Sequence, residues 1–426
     1  MRGHRGRAVR VRGSRGVRRW VAAVAGLVMI ATLAPPAVAA PGGGGGAGGG
    51  GQAVALMQDA LDDVVAAGAS GTVLRVDDGH RTFRLASGQA RLDPPLAMEP
   101  GATLRVGSIT KSFVATVALQ LVGEGRLRLD DSVEKWLPGT VPGGSQITLR
   151  QLLSHTSGLF NYTEDEAFVP QILADPLTEF TPEQLVAVAT SHPPLFAPGT
   201  SWSYSNTNYI VVGLILRRVT HRPVADLIDK RIVRPLHLRH TSLPERSPDI
   251  TGYHAHGYLP PSVTGAGYVD FTRVSPTWAG TAGAVVSDVD DLRTFYRALL
   301  GGRLLKPVQL DQMKTLVPIE SGFGYGLGLF RLDTSCGPIW GHDGHVPGYL
   351  TFAFNDESGR RGFTFGLPTE ADEPIAVAAA RVVDLVTCLA LGRPAPTPAS
   401  PSHSSVPAAG AVGVWTHRLD RSLFTR

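Results

Sequence analysis

The chain has 426 residues, of which 43% are hydrophobic, and a formal net charge of +4. This length and composition suit a globular protein with a sizeable core. Eight arginines and no acidic residue fall within residues 1–39, and the rest of the chain carries 32 basic against 36 acidic residues, a net charge of −4. That balance argues against nucleic acid as a partner of the folded part.

Residues 1–39 are predicted to be a signal peptide. An arginine-rich start precedes an apolar run from Trp20 to Leu33, and Ala37 and Ala39 supply the small residues that signal peptidase requires at −3 and −1. The apolar run is shorter than the roughly 20 residues that span a bilayer, so cleavage after Ala39 is favoured over a membrane anchor. We therefore expect a secreted, extracellular protein, either free or associated with the cell wall.

One folded domain is predicted between two low-complexity segments. Residues 40–52 are predicted to be a glycine-rich linker, because Gly42 to Gly51 is nearly pure glycine and has almost no side chains to bury. Residues 392–426 begin with a stretch rich in Pro, Ser, Ala and Thr and are predicted to be a disordered tail. The folded domain therefore spans residues 53–391.

Patterns of helices and strands alternate along this domain. Apolar residues at helical spacing indicate helices from Val54 to Val65, from Lys111 to Val122 and from Ile375 to Leu389. Strands are indicated, in chain order, at Thr72–Val76, Thr82–Ala86, Tyr325–Leu332, Tyr349–Asn355 and Gly362–Leu367. The middle, up to about Leu300, is mostly helices and long loops. This order predicts an α+β fold, in which a sheet domain is interrupted by a mostly helical subdomain.

Ser108 and Lys111 are the candidate nucleophile and base. Their spacing at the start of a helix places both side chains on one face. A serine hydroxyl needs an adjacent base to become a good nucleophile, and lysine serves as that base when burial lowers its pKa. The apolar residues that follow Lys111 favour such burial. Ser132 and Lys135 have the same spacing but follow an acidic stretch, so spacing alone does not separate the two pairs.

Two further motifs decide between these pairs. Tyr204 and Asn206 form a Tyr-x-Asn on a loop before an apolar helix, and His342, Asp343 and Gly344 lie between two predicted strands. A glycine there lets the backbone approach a ligand closely. Read singly, each motif indicates no more than a loop or a turn.

Together and in this order, the three motifs resemble those of the serine β-lactamase and penicillin-recognising enzyme family. The resemblance is greatest to its class C branch and to secreted actinobacterial D-alanyl-D-alanine carboxypeptidases. It extends to the Leu-Leu-x-His-Thr-Ser-Gly-Leu stretch at 152–159 and to residues 282–287 and 324–329, and it covers nearly all of residues 55–390. It implies a β-lactamase/transpeptidase-like fold, with an antiparallel sheet flanked by terminal helices beside the helical subdomain.

The resemblance also implies a role for each motif residue. Ser108 forms the acyl-ester, and Lys111 and Tyr204 share the acid–base work, with the first base left open. Asn206 binds substrate and Lys111, and His342 adds hydrogen-bonding or positive character beside Tyr204. The backbone N–H groups of Ser108 and of His345, which follows Gly344, form the oxyanion hole.

Two positions depart from the carboxypeptidase pattern. Carboxypeptidases of this family commonly place an arginine directly after the Gly-Leu-Gly-Leu stretch, whereas this chain has Phe330 there and Arg331 next. Neighbouring side chains on a strand face opposite ways, so we expect Arg331 to point away from the cleft. Asp343 stands where threonine is common, and its charge would repel a substrate carboxylate.

Other residues complete the predicted site. Phe160, Thr163 and Trp278 are candidates for lining the substrate cleft together with Gly344, Phe330 and Asp343, although core packing would produce the same residue types. His155 is predicted to be a structural hydrogen-bonding residue rather than a base. Cys336 and Cys388 are predicted to form one disulfide, with two buried thiols as the alternative. Neither cysteine has metal-ligand neighbours, so no metal is expected. The sequence has no Walker or dinucleotide-binding glycine-rich loop, and no cofactor is expected.

The predicted function is a secreted serine D-alanyl-D-alanine carboxypeptidase that acts on cell-wall peptides through an acyl-enzyme at Ser108. An esterase or β-lactamase of the same fold, acting on another small acyl substrate, is the first alternative. A non-catalytic penicillin-binding or sensing module is the second. β-Lactams are expected as acylating ligands, and the protein is expected to be a monomer.

Overall fold

A computed structural model of the protein describes residues 49–396. The predicted signal peptide, most of the predicted linker and the tail from residue 397 onward lie outside these residues. The helices are α1 Gly49–Ala66, α2 Thr110–Gly123, α3 Val133–Trp136, α4 Leu149–Leu153, α5 Phe168–Ala174, α6 Pro182–Thr190, α7 Asn206–Thr220, α8 Val224–Ile228, α9 Arg234–Leu236, α10 Pro261–Thr264, α11 Gly280–Gly283, α12 Val289–Leu300, α13 Pro307–Lys314 and α14 Glu373–Ala390. The first four residues of α1 belong to the segment predicted as linker.

Nine of the strands form one antiparallel sheet. The strands are β1 Gly71–Asp77, β2 Thr82–Arg91, β3 Leu96–Ala97, β4 Leu104–Arg105, β5 Tyr258–Leu259, β6 Val269–Asp270, β7 Val286–Ser287, β8 Val317–Glu320, β9 Phe323–Tyr325, β10 Phe330–Thr334, β11 Gly337–Val346, β12 Tyr349–Asn355 and β13 Gly362–Leu367. The order across the large sheet is β3-β2-β1-β13-β12-β11-β10-β9-β8. The α+β prediction is therefore confirmed.

Each face of this sheet is covered by its own apolar core. Leu350, Phe352 and Phe354 alternate along β12 with Thr351 and Ala353, so that successive residues enter opposite cores. One core contains the apolar faces of α1 and α14, which pack together at the two ends of the described chain. The other contains the helical subdomain. Hydrophobic burial of this kind contributes roughly 25 cal/mol per Å² of apolar surface.

Helix α2 is the central helix of the subdomain. Every residue from Thr110 to Leu121 except Gln120 is buried, which is typical of a helix surrounded by protein on all sides. Helices α7 and α11 pack against it. The residue at the start of such a helix is held rigidly, and Lys111 is the second residue of α2.

Two local predictions were wrong. The predicted strand Tyr325–Leu332 is two strands, β9 and β10, because residues 326–329 turn the chain between them. The His342–Gly344 motif is predicted to lie between two strands, but it lies within the ten-residue strand β11. Pairing with β12 over 340–346 overrides the weak strand propensity of a sequence with His, Asp and two glycines. Among residues 49–396, no helix combines the length and the apolar character that crossing a bilayer requires.

Candidate active site

Ser108 lies in a tight 3-10 turn, Gly107–Ile109, that leads directly into α2. Gly107 has a φ of +51°, a conformation that favours glycine, and a Cβ there would come within 2.6 Å of the backbone nitrogen of His345. The Thr110 hydroxyl donates to the Gly107 carbonyl at 2.7 Å. The turn therefore presents a partly exposed serine immediately before the N-terminus of a buried helix.

Lys111 extends its amine to three oxygen atoms. Nζ lies 2.9 Å from Ser108 Oγ, 2.7 Å from Asn206 Oδ1 and 2.8 Å from the Ala282 carbonyl. Burial lowers the pKa of Lys111 well below its usual value, although the negative charge of Asp343 acts in the opposite direction. A neutral amine has two N–H groups, which match Asn206 and Ala282, and its lone pair then faces the Ser108 hydroxyl.

Tyr204 lies between Lys111 and His155. Lys111 Nζ is 4.8 Å from the centre of the Tyr204 ring, and the imidazole of His155 packs on the ring with centroids 4.3 Å apart. Enclosure by the protein raises the pKa of Tyr204 well above its usual value, partly offset by a hydrogen bond with Ser108. Tyr204 is therefore a neutral phenol that can donate or relay a proton beside Ser108.

Asn206 is oriented by two residues of the Phe160–Thr163 segment. Its side-chain amide donates to Thr163 Oγ1 at 3.1 Å, and its backbone N–H donates to Asn161 Oδ1 at 3.0 Å. The Thr163 hydroxyl in turn donates to Asn161 Oδ1 at 3.0 Å. These contacts direct the amide oxygen of Asn206 towards Lys111.

His155 has the structural role that its sequence predicts. Its Nδ1 accepts the Ser205 N–H at 3.2 Å and is 3.1 Å from Asn208 Nδ2. Burial lowers the pKa of His155 well below its usual value. Its φ of +60° is rare for a residue with a Cβ. His155 is thus a neutral support beneath Tyr204.

Strand β11 crosses the nucleophile turn at Gly344. A Cβ at this position would lie 1.9 Å from the Val106 carbonyl oxygen and 3.0 Å from the Ser108 backbone nitrogen. Only glycine permits this approach. It brings the backbone of Ser108 beside that of Gly344 and His345, where the two predicted oxyanion donors are neighbours.

The side chains of β11 around Gly344 have their own partners. His342 Nδ1 donates to the Asp343 carbonyl at 2.6 Å, and its Nε2 is 3.1 Å from the Tyr325 hydroxyl. The His342 ring centroid is 6.4 Å from that of Tyr204, so His342 faces the tyrosine while both its ring nitrogens are bound elsewhere. His345 Nε2 lies 2.8 Å from Glu370 Oε1.

The comparisons with known proteins agree with this geometry. The Beta-lactamase family model matches residues 53–387. The chain belongs to the Beta-lactamase family. A D-stereospecific amidohydrolase from Streptomyces sp. superposes with a TM-score of 0.72 and 40% identity over 78% of this chain and 98% of that one. The D-amino acid amidase of Ochrobactrum anthropi SV3, complexed with D-phenylalanine, has a TM-score of 0.68 and 26% identity over 78% and 98% of the chains.

Penicillin-binding protein 4* of Bacillus subtilis is 28% identical over 311 residues, which are 66% of this chain and 64% of that protein. The chain thus spans slightly less than two thirds of this curated relative. Members of the Beta-lactamase family related to this chain are serine hydrolases that act on small acyl substrates such as peptides or amides. The predicted family is therefore confirmed.

This Beta-lactamase family protein buries most of the residues predicted to line its cleft. Trp278 and Phe330 are only 5% and 7% exposed, and Phe330 packs on His342 with centroids 4.6 Å apart. Thr163 is buried and serves Asn206. Phe160 is half-buried and stacks on His192, with a centroid distance of 3.9 Å, which leaves its ring partly open to solvent. The residue types alone do not show which of these side chains lie in the core and which reach the cleft.

Two charged residues near the cleft differ in what they offer a substrate. Asp343 is 14% exposed, and its charge acts on both Lys111 and Tyr204. Arg331 is bound to Asp333 through contacts of 2.7 and 3.1 Å, and its guanidinium lies 5.9 Å from the centre of the Trp340 ring. Arg331 therefore already has an acidic partner on its own strand.

Several supporting residues escaped sequence reasoning. Asn161 and Glu370 are distant in sequence from the groups they hold, and the Ala282 carbonyl is a backbone atom without a residue signature. The resemblance covered the segments of Asn161 and Ala282, but no local motif distinguished these atoms. His240, Asp288 and Asp291 also converge, but within residues 49–396 they serve the start of α12, where Asp288 accepts the Asp291 N–H at 2.7 Å and contacts His240 at 2.6 Å.

Proposed function

We propose that the protein hydrolyses amide or ester bonds on the carbonyl side of D-amino acids that carry a free amino group, through an acyl-ester at Ser108. The 2.9 Å contact between Lys111 Nζ and Ser108 Oγ carries the chemistry. The D-stereospecific amidohydrolase, at 40% identity over nearly its whole chain, supports the substrate class.

Lys111 takes the proton of Ser108 as Oγ attacks the substrate carbonyl. The lowered pKa of Lys111 and the raised pKa of Tyr204 support Lys111 as the base and Tyr204 as the acid. Environments that push two pKa values apart assign such roles to the two groups. The carbonyl oxygen becomes an oxyanion that accepts from the N–H groups of Ser108 and His345. When the tetrahedral intermediate collapses, the C–N bond breaks and the leaving amine takes the proton held by Lys111, relayed through Tyr204. Water then attacks the acyl-ester and gives one proton to Lys111, which passes it back to Ser108 Oγ as the D-amino acid leaves.

The charge of Asp343 supports a substrate ammonium rather than a substrate carboxylate. An acid within electrostatic reach of Lys111 and Tyr204 repels a terminal carboxylate, and Arg331 is bound to Asp333. The D-alanyl-D-alanine carboxypeptidase predicted from the sequence needs a cation for that carboxylate. Carboxypeptidase activity is therefore the second candidate function, after hydrolysis of D-amino acid amides or esters.

A substrate panel separates these activities. We expect turnover of D-phenylalanine amide to exceed that of the L-enantiomer, and N-acetylation of the amide to lower kcat/KM by at least about tenfold, since one lost charged contact corresponds to roughly 1.4 kcal/mol or more. Asp343→Asn should reduce the difference in kcat/KM between the amide with a free amino group and the N-acetylated amide. Release of D-alanine from diacetyl-L-Lys-D-Ala-D-Ala without amide turnover would contradict the proposal and support the carboxypeptidase.

We also propose export from the cytoplasm and a monomeric state. Cys336 and Cys388 form the disulfide expected from the sequence, and disulfides persist in oxidising compartments. Detection of the mature chain in the culture medium, with its N-terminus at residue 40, tests export. Size-exclusion chromatography with light scattering tests the monomer.

A further inference from the structure

A cavity that shares no lining residue with the Ser108 site lies at the C-terminal end of α12. Its volume is about 450 Å³, and its lining consists of Arg75, Arg293, Thr294, Arg297, Gly301, Arg303, Ser358 and Arg360. Five of these eight residues are arginines and none is acidic. The cavity lies beside Asn355, the last residue of β12. Thr351, which pairs with Gly344 near Ser108, is four residues earlier on the same strand.

Two of the arginines have acidic partners. Arg75 contacts Asp290 at 2.7 Å and Asp77 at 3.2 Å. Arg293 is 1% exposed, lies 2.8 Å from Asp77 and donates to Asn355 Oδ1 at 2.8 Å. Their charges are therefore largely balanced, and Arg293 forms a rigid floor.

The other three arginines are exposed, and their charges are not neutralised by direct contact with an acid among the described residues. Within residues 49–396, no carboxylate is in ion-pair contact with Arg297, Arg303 or Arg360, and Arg360 Nε donates only to the Ser358 hydroxyl at 3.3 Å. The C-terminal end of α12 attracts cations, but a helix end amounts to about half a charge. Burial, together with repulsion from Arg75 and Arg297, lowers the pKa of Arg293 to about 10 despite the opposing charges of Asp77 and Asp356.

The cavity is held in shape by the turn between β12 and β13. Gly359 has a φ of +72°, and a Cβ there would lie 3.1 Å from the Arg297 Cα atom and 3.0 Å from Leu300. The Arg293 side chain donates to the carbonyls of Gly359 and Arg360 at 3.0 and 2.8 Å. The turn is thus clamped to α12, and Arg297 and Arg360 are presented from fixed backbone positions.

We propose that this cavity binds a small multivalent phosphate ligand of the di- or triphosphate class. Guanidinium groups bind phosphate oxygens through paired hydrogen bonds, and the Thr294 and Ser358 hydroxyls add further donors. A volume of about 450 Å³ falls within the range of pockets for small ligands, about 300–1000 Å³, and exceeds what a single phosphate fills. The net negative charge of the folded part disfavours a long polyanion, but this local cluster favours a compact one.

Calorimetric titration of the full chain with tripolyphosphate in low salt tests the proposal. We expect saturable binding that is at least tenfold weaker for Arg297→Gln/Arg303→Gln and weaker for Arg360→Gln. The matched control is Arg217→Gln/Arg218→Gln, which removes the same charge from exposed residues at the end of α7 and should change the Kd by less than twofold. The arginines of residues 1–39 are common to all variants, so differences between them report on the cavity.

Two further ligands define the chemistry. Citrate should bind at least tenfold more weakly than tripolyphosphate, and equal binding of the two would overturn the phosphate assignment. ATP that binds as tightly as tripolyphosphate supports a nucleotide ligand, whereas weaker ATP binding supports an inorganic chain. Loss of affinity that is equal in the cavity variant and the α7 control would overturn the site. Unchanged circular dichroism confirms that each variant is folded.

Discussion

Ser108 and Ser132 each precede a lysine by three residues, yet their hydroxyl groups have different partners. Ser132 Oγ accepts the Lys135 backbone N–H at 3.3 Å and caps α3, while the Lys135 amine lies 2.6 Å from Asp131. Ser108 Oγ faces an amine with a lowered pKa. The second pair is therefore a helix cap beside an ion pair, and the first is a nucleophile with its base.

This contrast predicts opposite effects of two matched substitutions. Ser108→Ala should lower turnover by about 1000-fold or more and abolish labelling by a fluorescent penicillin. Ser132→Ala should leave labelling and kcat unchanged while lowering the free energy of unfolding by about 1 kcal/mol, the usual value of an N-cap. Equal labelling of wild type and Ser108→Ala would refute the acyl-enzyme at Ser108.

His345 and Glu370 form a buried pair behind the oxyanion hole. Burial lowers the pKa of His345, but the charge and hydrogen bond of Glu370 and the charge of Asp343 more than offset this, so that the pKa is raised. Glu370 also accepts the Gly348 N–H at 3.1 Å. The pair ties the strand that carries the His345 N–H to the residues before α14.

The pKa of His345 is higher in the folded state than the value of about 6.5 in the unfolded chain. The protonated His345 therefore stabilises the fold fully below about pH 6.5, and this stabilisation is lost as the pH rises through the pKa of the folded state. Wild type should therefore exceed Glu370→Gln in free energy of unfolding by about 1–3 kcal/mol at pH 6, and by less at pH 9. Urea titrations of both proteins across this window provide the measurement. A difference that stays constant with pH would show that the charge of the pair is irrelevant.

At the scale of elements, the site depends on how closely β11 approaches the turn before α2. That approach is set by glycine at 107 and 344, where any side chain would meet backbone atoms that cannot move aside. The oxyanion hole is thus a property of two elements in contact rather than of either alone.

Gly344→Ala should separate these elements. A Cβ only 1.9 Å from the Val106 carbonyl oxygen forces β11 and the turn apart, so we expect kcat to fall by about 100-fold and stability to fall by about 1–3 kcal/mol. Gly101→Ala is the control, because a Cβ there meets nothing within 4 Å. Steady-state kinetics and thermal unfolding of both variants give the comparison, and a fully active Gly344→Ala would exclude this close contact.

At the scale of the whole molecule, a disulfide joins the sheet to the last helix. Cys336 lies in the turn between β10 and β11, Cys388 lies in the last turn of α14, and their Cα atoms are 5.2 Å apart across a sequence separation of 52 residues. Closing such a loop restricts the unfolded chain. The active site lies towards the other end of β11.

Replacing both cysteines with serine should therefore affect stability and spare catalysis. The loss in free energy of unfolding is expected to reach about 4 kcal/mol for a loop of this length, with kcat/KM within twofold of wild type. Wild type treated with a reductant should match the double variant in melting temperature. A large loss of activity in the folded variant would instead assign the disulfide a role in shaping the site.

Local sequence patterns were sufficient for several features. The first and last helices, the hairpin of β1 and β2 and the strands β12 and β13 follow from periodicity, because their apolar residues recur at the spacing of the element. Ser108, Lys111, Tyr204 and Asn206 needed more than a local pattern: they were predicted because three motifs in this order resemble those of a known family, and the structure brings their side chains together. The even number of cysteines favoured one disulfide over two buried thiols, and Cys336 and Cys388 are bonded.

Only the tertiary structure decided the environment of each group. Lys111 and Asn206 are 95 residues apart in sequence, and the pKa of the lysine depends on burial that many distant residues create. The same holds for Phe330, which packs inward, and for His342, which lies in a strand rather than between two strands. It also holds for the five arginines that converge from β1, α12 and two turns. Local pattern specifies backbone preference, whereas desolvation, contact and charge balance arise from long-range packing.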